Sequence, residues 1–261
     1  MATKVTFIGA GSVGFTRGLV SDLMGVPEFR DTLEISLMDI SEQNLDMVYQ
    51  LVRRDMDSNG VKCKLTKTTN RASALKNAKY VISVFRVGGL EAFATDIEIP
   101  LKYGIDQCVG DTICSGGIMY GQRGIAAMMD LCQAIKKHAR KDVLLLNYAN
   151  PMAMLTWACN KYGGVDTVGL CHGVQGGHDQ IAQVLGKEKK DVDIICSGIN
   201  HQTWYTSVKV NGKEMTSKLH AAFLKHDDYS KTERVRIDMM ERFGYYSTES
   251  NGHLSEYGPW Y

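Results

Sequence analysis

Short apolar runs alternate with amphipathic stretches over most of the chain. KVTFIGA (4–10), LEISLMD (33–39), KCKLTK (62–67), KYVISVF (79–85), DVLLLNY (142–148) and DTVGL (166–170) have the length and β-branched content of strands. Between them the apolar positions recur at helical spacing. Helices are predicted over 13–25, from Ser41 through Val52, and over 72–78, 118–138 and 151–160. Ser41 is placed as an N-cap, because its hydroxyl can accept from a first-turn amide. Strands that are apolar throughout, separated by helices, predict a parallel sheet covered on both faces.

The pattern changes after about Ile194. TWYTSVKVNGKEM (203–215) alternates polar and apolar residues and contains Asn211-Gly212, a dipeptide suited to a tight hairpin turn. Helical stretches then lead to an aromatic-rich end over 243–261. The expected organisation is an α/β domain over 1–193 and the start of an α+β domain over 194–261, with the second domain incomplete.

Composition narrows the partners. Lys and Arg total 30 against 29 acidic residues, which argues against nucleic acid or an acidic membrane surface. No apolar run approaches the ~20 residues of a membrane span. The start, MATKVTFIGAG, lacks a basic region followed by a long apolar segment, so no secretory signal is expected. Seven cysteines without a CxxC pair fit a reducing compartment, and a cytoplasmic location is expected. Cys132 and Cys159 fall in apolar helical patterns and are expected to be buried fillers.

Gly9-Ala10-Gly11-Ser12-Val13-Gly14 fits GxGxxG, directly between the first strand and the first helix. Gly9 permits a tight turn, Gly11 lets backbone approach a pyrophosphate, and Gly14 is expected to let helix pack near strand. The helix N-terminus offers free N–H groups and the positive end of its dipole. Asp39, 25 residues after Gly14, closes the second strand, where a carboxylate can accept from ribose hydroxyls and repel a 2′-phosphate. This predicts a Rossmann-like first domain, similar to that of lactate and malate dehydrogenases, that binds NAD, with Gly9, Ala10, Gly11, Ser12, Gly14 and Asp39 as its contacts. A glycine-rich turn in an α/β protein that binds no nucleotide is the competing explanation.

Metal-prone residues lie further along. Cys171 and His172 follow the strand at 166–170, His201 ends GINH (198–201), and His253 lies in SNGHLSEY (250–257). Neighbours in extended backbone point to opposite faces, so one ion would not take both Cys171 and His172. Cys171 with a distant histidine is the expected pairing, which frees His172. A buried cysteine beside a surface histidine is the alternative. His138, His178, His220 and His226 are expected on helix surfaces. Polar groups also collect at strand ends: Arg86, Asp111, Thr112, Arg123, Asn147 and Asn150. Their positions favour a substrate pocket at the sheet edge.

Taken together, GAGS (9–12), MD (38–39), RVGG (86–89), GDT…GG (110–117), NYANPM (147–152), GLCHGVQG (169–176), GINH (198–201) and TESNGHLSEY (248–257) resemble family 4 of the glycoside hydrolases over essentially the whole chain. Cys-His followed by VQG is similar to the α-galactosidase branch, whereas branches acting on 6-phosphorylated sugars tend to carry Asp or Asn where His172 stands. The resemblance implies hydrolysis of α-galactosides, with α-glucosides and α-uronides as competing substrates. It implies NAD and a divalent metal, usually Mn2+, as cofactors. In that chemistry NAD takes a hydride from sugar C3, a tyrosine removes the C2 proton, and the aglycone leaves C1 by elimination.

The resemblance also implies roles for particular residues. Cys171 and His201 match the metal ligands, and Tyr257 matches the base, with Tyr245, Tyr246 and Tyr261 as rivals. His172 would assist the leaving group or hold sugar hydroxyls, Asn150 and Arg123 would bind substrate, Arg86 would contact NAD, and Asp111 would support the metal shell. Family members are longer and are expected to form homodimers or homotetramers. A 2-hydroxyacid dehydrogenase and an inactive NAD-binding fragment are the readings from other classes.

Overall fold

The computed structural model describes residues 3–258 and 260–261. The chain divides into two compact units, Met1–Asp96 with Gly117–Leu170, and Ile97–Gly116 with Cys171–Tyr261.

The first unit contains six parallel strands: β1 (Thr3–Ile8), β2 (Leu33–Met38), β3 (Lys64–Thr68), β4 (Tyr80–Ser83), β5 (Leu144–Asn147) and β6 (Thr167–Gly169). Their order is β3-β2-β1-β4-β5-β6, so the chain reverses direction across the sheet between β1 and β4. This is the doubly wound Rossmann-like arrangement that the alternation predicts. Successive residues of a strand enter opposite faces, and both faces are buried. Val5, Phe7, Ile35, Leu37 and Ile82 pack on one side, against α1 (Val13–Gly25) and α2 (Glu42–Ser58). Ile8, Met38, Val81 and Leu145 pack on the other, beneath α3 (Arg71–Leu75) and helical residues such as Met128, Leu131 and Ile135. Cys132 and Cys159 are fully buried in this second layer, as expected of fillers.

Several element boundaries agree with the sequence pattern. Helix α1 spans the predicted residues, and the Ser41 hydroxyl caps α2 by accepting from the Asn44 amide at 3.3 Å. Helix α4 (Gly89–Leu101) is absent from the predicted set. Its start at Gly88-Gly89, both at positive φ (84° and 61°), reads locally as a loop. Helix α5 (Ser115–His138) starts three residues before its predicted limit, and α6 (Met152–Ala158) runs on into a five-residue π-helix, Cys159–Gly163.

The second unit is built on an antiparallel sheet of β7 (Val192–Ile199), β8 (Gln202–Val210) and β9 (Lys213–Glu214), in that order. The hairpin at Asn211-Gly212 forms as predicted, with both residues left-handed (φ 48° and 75°). Helices α7 (Gly173–Val184), α8 (Leu219–Lys225), α9 (Tyr229–Thr232), α10 (Arg234–Phe243) and α11 (Asn251–Tyr257) complete it. Its core joins Ile181 and Ala182 of α7 to Val192, Tyr205, Val208, Phe223, Ile237 and Tyr246. That packing shifts the boundary expected at 193/194. Helix α7 follows the last parallel strand in sequence, yet it buries its apolar face in the second unit. No helix of the described residues is long and apolar enough to cross a membrane.

Candidate active site

In the first unit, the 9–14 loop links β1 to α1. Gly9 is left-handed (φ 87°), and a Cβ there would lie 2.5 Å from Phe85 Cβ. At Gly11 a Cβ would lie 2.9 Å from Asp39 Oδ2. The Asp39 carboxylate accepts from the Gly11 amide and the Ser41 amide, each at 2.8 Å. It therefore already ties the glycine loop to the end of β2, and each oxygen keeps a further lone pair. Gly14 departs from expectation. A Cβ there would meet nothing within 4 Å, so close helix–strand packing does not require it. Ser12 precedes α1 without a side-chain cap, so the first-turn amides carry no hydroxyl or carboxylate from their own helix.

Other predicted residues of this unit have partners within it. The Arg86 guanidinium stacks on Phe93 and Tyr120, at 4.4 and 4.3 Å from the ring centroids. Arg123 forks onto the buried Asp96 at 2.9 and 2.5 Å, so its charge is already paired. Asn147 is fully buried and structural: its Oδ1 accepts from Ser83 Oγ and from the Ala149 amide. Asn150 precedes the cis peptide to Pro151.

In the second unit, four separated stretches meet. His201 sits at the tip of the β7–β8 turn, left-handed at φ 62° and 6% exposed. Thr112 reaches it from the 109–114 loop, with Oγ1 2.9 Å from His201 Nδ1. The Thr112 hydroxyl donates to Asp111 Oδ1 at 3.0 Å, so it accepts from Nδ1–H and leaves the Nε2 lone pair available. Burial, then the His253 charge, lowers the His201 pKa, which keeps the ring neutral as a ligand must be. Asp111 thus acts on His201 through Thr112, which sequence reasoning noted only as polar.

Cys171 lies just before α7, half-buried. Its thiol donates to Glu249 Oε1 at 3.1 Å. Burial first, and then Glu249, pushes this thiol up to about 11. Glu249 arrives because residues 246–248 run antiparallel beside β8: Tyr205 N donates to Tyr246 O at 2.9 Å, and Thr248 N to Thr203 O at 2.7 Å. Glu249 is itself left-handed (φ 71°), a conformation costing of order 1–3 kcal/mol in a residue other than glycine. Ser250 then caps α11, which carries His253, Glu256 and Tyr257. The ligand atoms of Cys171, His201 and Glu249 all lie within 4.8 Å of one another. The His253 ring packs against His201 at a tilt of 51°, with centroids 4.3 Å apart, and its Nδ1 is 3.7 Å from Glu249 Oε2. Cys171, His201 and a carboxylate form a donor set suited to a divalent cation. His172 is exposed at the N-cap of α7 and is not in the Cys171–His201–Glu249 donor group found among the described residues.

Tyr257 donates to the Asn200 carbonyl at 2.9 Å, and burial pushes its phenol up to about 12, with Glu256 and Glu249 adding to the shift. Its rivals are placed elsewhere. Tyr246 is fully buried, stacked on Phe223, and donates to Gln180. Tyr245 and Tyr261 are exposed, and Tyr261 bonds Asp238. Glu256 escaped the sequence reading: its Oε1 accepts from the Val109 and Gly110 amides at 2.7 and 2.5 Å, which fixes the loop that carries Asp111 and Thr112. His178 is another correction. It is half-buried and donates from Nε2 to the Val192 carbonyl at 2.7 Å, joining α7 to β7 rather than lying on the surface.

The model of the family 4 glycosyl hydrolases matches residues 4–187, and that of the family's C-terminal domain matches residues 196–259. The chain belongs to this family. Among curated family 4 relatives, the alpha-galactosidase of Rhizobium meliloti (strain 1021) is 57% identical over 259 residues, covering 99% of this chain and 53% of the relative. The chain thus spans about half the length of that family 4 protein. The 6-phospho-beta glucosidase of Thermotoga maritima, solved with manganese, NAD+ and glucose-6-phosphate, superposes with a TM-score of 0.83 at 26% identity, over 98% of this chain and 59% of that one. A malate dehydrogenase from Plasmodium falciparum shares the fold alone, with a TM-score of 0.61 at 14% identity over 96% of this chain and 73% of that one.

Proposed function

We propose that the protein hydrolyses α-galactosides, using NAD and a divalent metal such as Mn2+. The observation that carries this reading is the meeting of Cys171 and His201, with Tyr257 hydrogen-bonded to the same turn. The identity to an alpha-galactosidase supports the choice of sugar. When bound, NAD takes and returns a hydride at the sugar, and the metal draws charge from its oxygens.

The glycine loop at 9–14 and Asp39 fit a dinucleotide: the backbone at Gly11 can be approached, and Asp39 has lone pairs for ribose hydroxyls. Cys171 would hold the metal through its thiolate and His201 through Nε2, which Thr112 and Asp111 keep free of hydrogen. Tyr257 is the group for the C2 proton. Burial and the neighbouring carboxylates hold its phenol protonated, and a divalent ion held by Cys171 and His201 would supply the positive charge that opposes them. Asn200 Oδ1 and Glu256 Oε2 are buried without a hydrogen-bond partner among the described residues, and sugar hydroxyls would satisfy both. His172, exposed beside this cluster, would give a proton to the departing oxygen or hold a hydroxyl. Asn150 and Arg123 are further proposed sugar contacts. A homo-oligomer is the proposed assembly.

Incubation of a nitrophenyl α-galactoside with protein, NAD and Mn2+ in D2O tests the mechanism. The expected product carries deuterium at C2, and chelator abolishes the activity. Hydrolysis with no C2 exchange would overturn the elimination route. Net accumulation of NADH would favour a dehydrogenase.

A further inference from the structure

Glu249 has features that its neighbours in sequence do not explain. It is a left-handed non-glycine residue at a strand–helix junction, and its side chain turns toward Cys171. The carboxylate is accommodated by an absence: a Cβ on Gly173 would lie 1.6 Å from Glu249 Oε1 and 2.4 Å from Cδ. Gly173 is the first residue of α7 and is not left-handed, so the first demand for glycine here is space for this carboxylate. Its second oxygen lies 3.7 Å from His253 Nδ1. The side chain is only 10% exposed, and no Lys or Arg pairs with it among the described residues. A buried carboxylate without a fixed cation is costly unless an ion supplies the charge.

We infer that Glu249 is a third protein ligand of the metal, completing a Cys171–His201–Glu249 set. This rests on the reading of Cys171 and His201 as ligands. The distances agree. Two ligands with bonds of about 2.1 and 2.3 Å, held at right angles, stand roughly 3.1 Å apart, and Sγ and Oε1 are separated by 3.1 Å. A carboxylate also moves a thiolate–imidazole pair toward harder ions, since oxygen donors suit Mn2+ better than sulfur does. On metal binding the Cys171 proton leaves to solvent, and the thiol–carboxylate hydrogen bond is replaced by two bonds to the ion.

The test is Mn2+ affinity, measured by calorimetry on the purified protein without substrate, with far-UV circular dichroism and the urea midpoint as the control for folding of the second unit, and NAD affinity as the control for the first. Glu249→Gln is expected to weaken Mn2+ binding about 10- to 100-fold and to leave NAD binding unchanged. Gly173→Ala, which displaces the carboxylate without changing any donor, is expected to weaken Mn2+ binding in the parent. In the Glu249→Gln background the same substitution is expected to have little further effect. Unchanged Mn2+ affinity in Glu249→Gln, alongside a large loss in Cys171→Ser, would overturn the inference and leave the Cys171 assignment standing. An equal effect of Gly173→Ala in both backgrounds would also overturn it. Unchanged affinity in Cys171→Ser would overturn the underlying ligand reading and this inference together.

Discussion

In the first unit, the loop at 9–14 is made by residues adjacent in sequence and closed by one distant carboxylate, Asp39. In the second, the cluster around His201 draws on residues 109–114, 171–173, 200–201 and 249–257, and no two of its proposed ligands share an element. The first arrangement uses backbone shape, so it depends on which positions lack a side chain. The second uses side-chain donors, so it depends on the supports that bring distant segments together. The two sites should therefore fail separately and for different reasons.

The largest expected effect comes from a support of the second unit. Arg236 is 4% exposed, and its guanidinium donates to Ser247 O, Gln180 Oε1 and Glu233 Oε2 while stacking 4.2 Å over Tyr246. It holds the strand-like segment that delivers Glu249. Arg236→Ala is expected to destabilise this unit by about 3–5 kcal/mol, because Glu233 and the Ser247 carbonyl lose a buried partner. Urea unfolding followed by tryptophan fluorescence measures this. NAD binding by the first unit should survive at denaturant concentrations that abolish Mn2+ binding.

Next comes Gly11→Ala, whose methyl would press on Asp39 Oδ2 and Asn44 Cβ, both 2.9 Å away. Overpacking of this kind costs about 1–3 kcal/mol, so NAD affinity should fall roughly 10- to 100-fold by titration calorimetry. Mn2+ affinity should not move. A parallel loss of both would break the contrast between the two regions. Gly14→Ala is the internal control, since its added Cβ meets nothing within 4 Å.

Thr112→Val keeps the shape but removes the hydroxyl between Asp111 and His201. Loss of such an orienting group should weaken Mn2+ binding about tenfold, again without effect on NAD. The smallest effect concerns Glu214, whose carboxyl is held down to about 2 from 4.5, first by Thr216 and then by Ser207. A depressed carboxyl stabilises the folded state above pH 4.5, and that contribution is lost as the pH falls through about 2. Glu214→Gln should flatten the pH dependence of the urea midpoint across that window and lower the midpoint slightly at neutral pH, where the carboxylate's contribution is fully present.

Local signals carried much of the fold. The run of apolar strands led to the doubly wound sheet because parallel strands are buried on both faces and cannot tolerate polar alternation. Ser41 and Asn211-Gly212 were readable because a cap and a hairpin turn are decided within a few residues. Helix α4 was not readable, since two left-handed glycines at its start look like a loop. The packing of α7 has no local signal either. Its sequence position ties it to β6, but Ile181 and Ala182 find their apolar partners in the second unit.

By itself the sequence pointed to the glycine loop, the class of sheet and the separation of Cys171 from His172, each through spacing, side-chain chemistry or motif. The pairing of Cys171 with His201 came from the family resemblance. Only the tertiary structure decided that Thr112 links Asp111 to His201, that Glu256 anchors the 109–110 loop, and that Glu249 reaches Cys171 across 78 residues. These contacts depend on a segment pairing alongside β8 and on the space left at Gly173. Neither has a local signature, because the energy that selects them comes from packing among segments far apart in the chain.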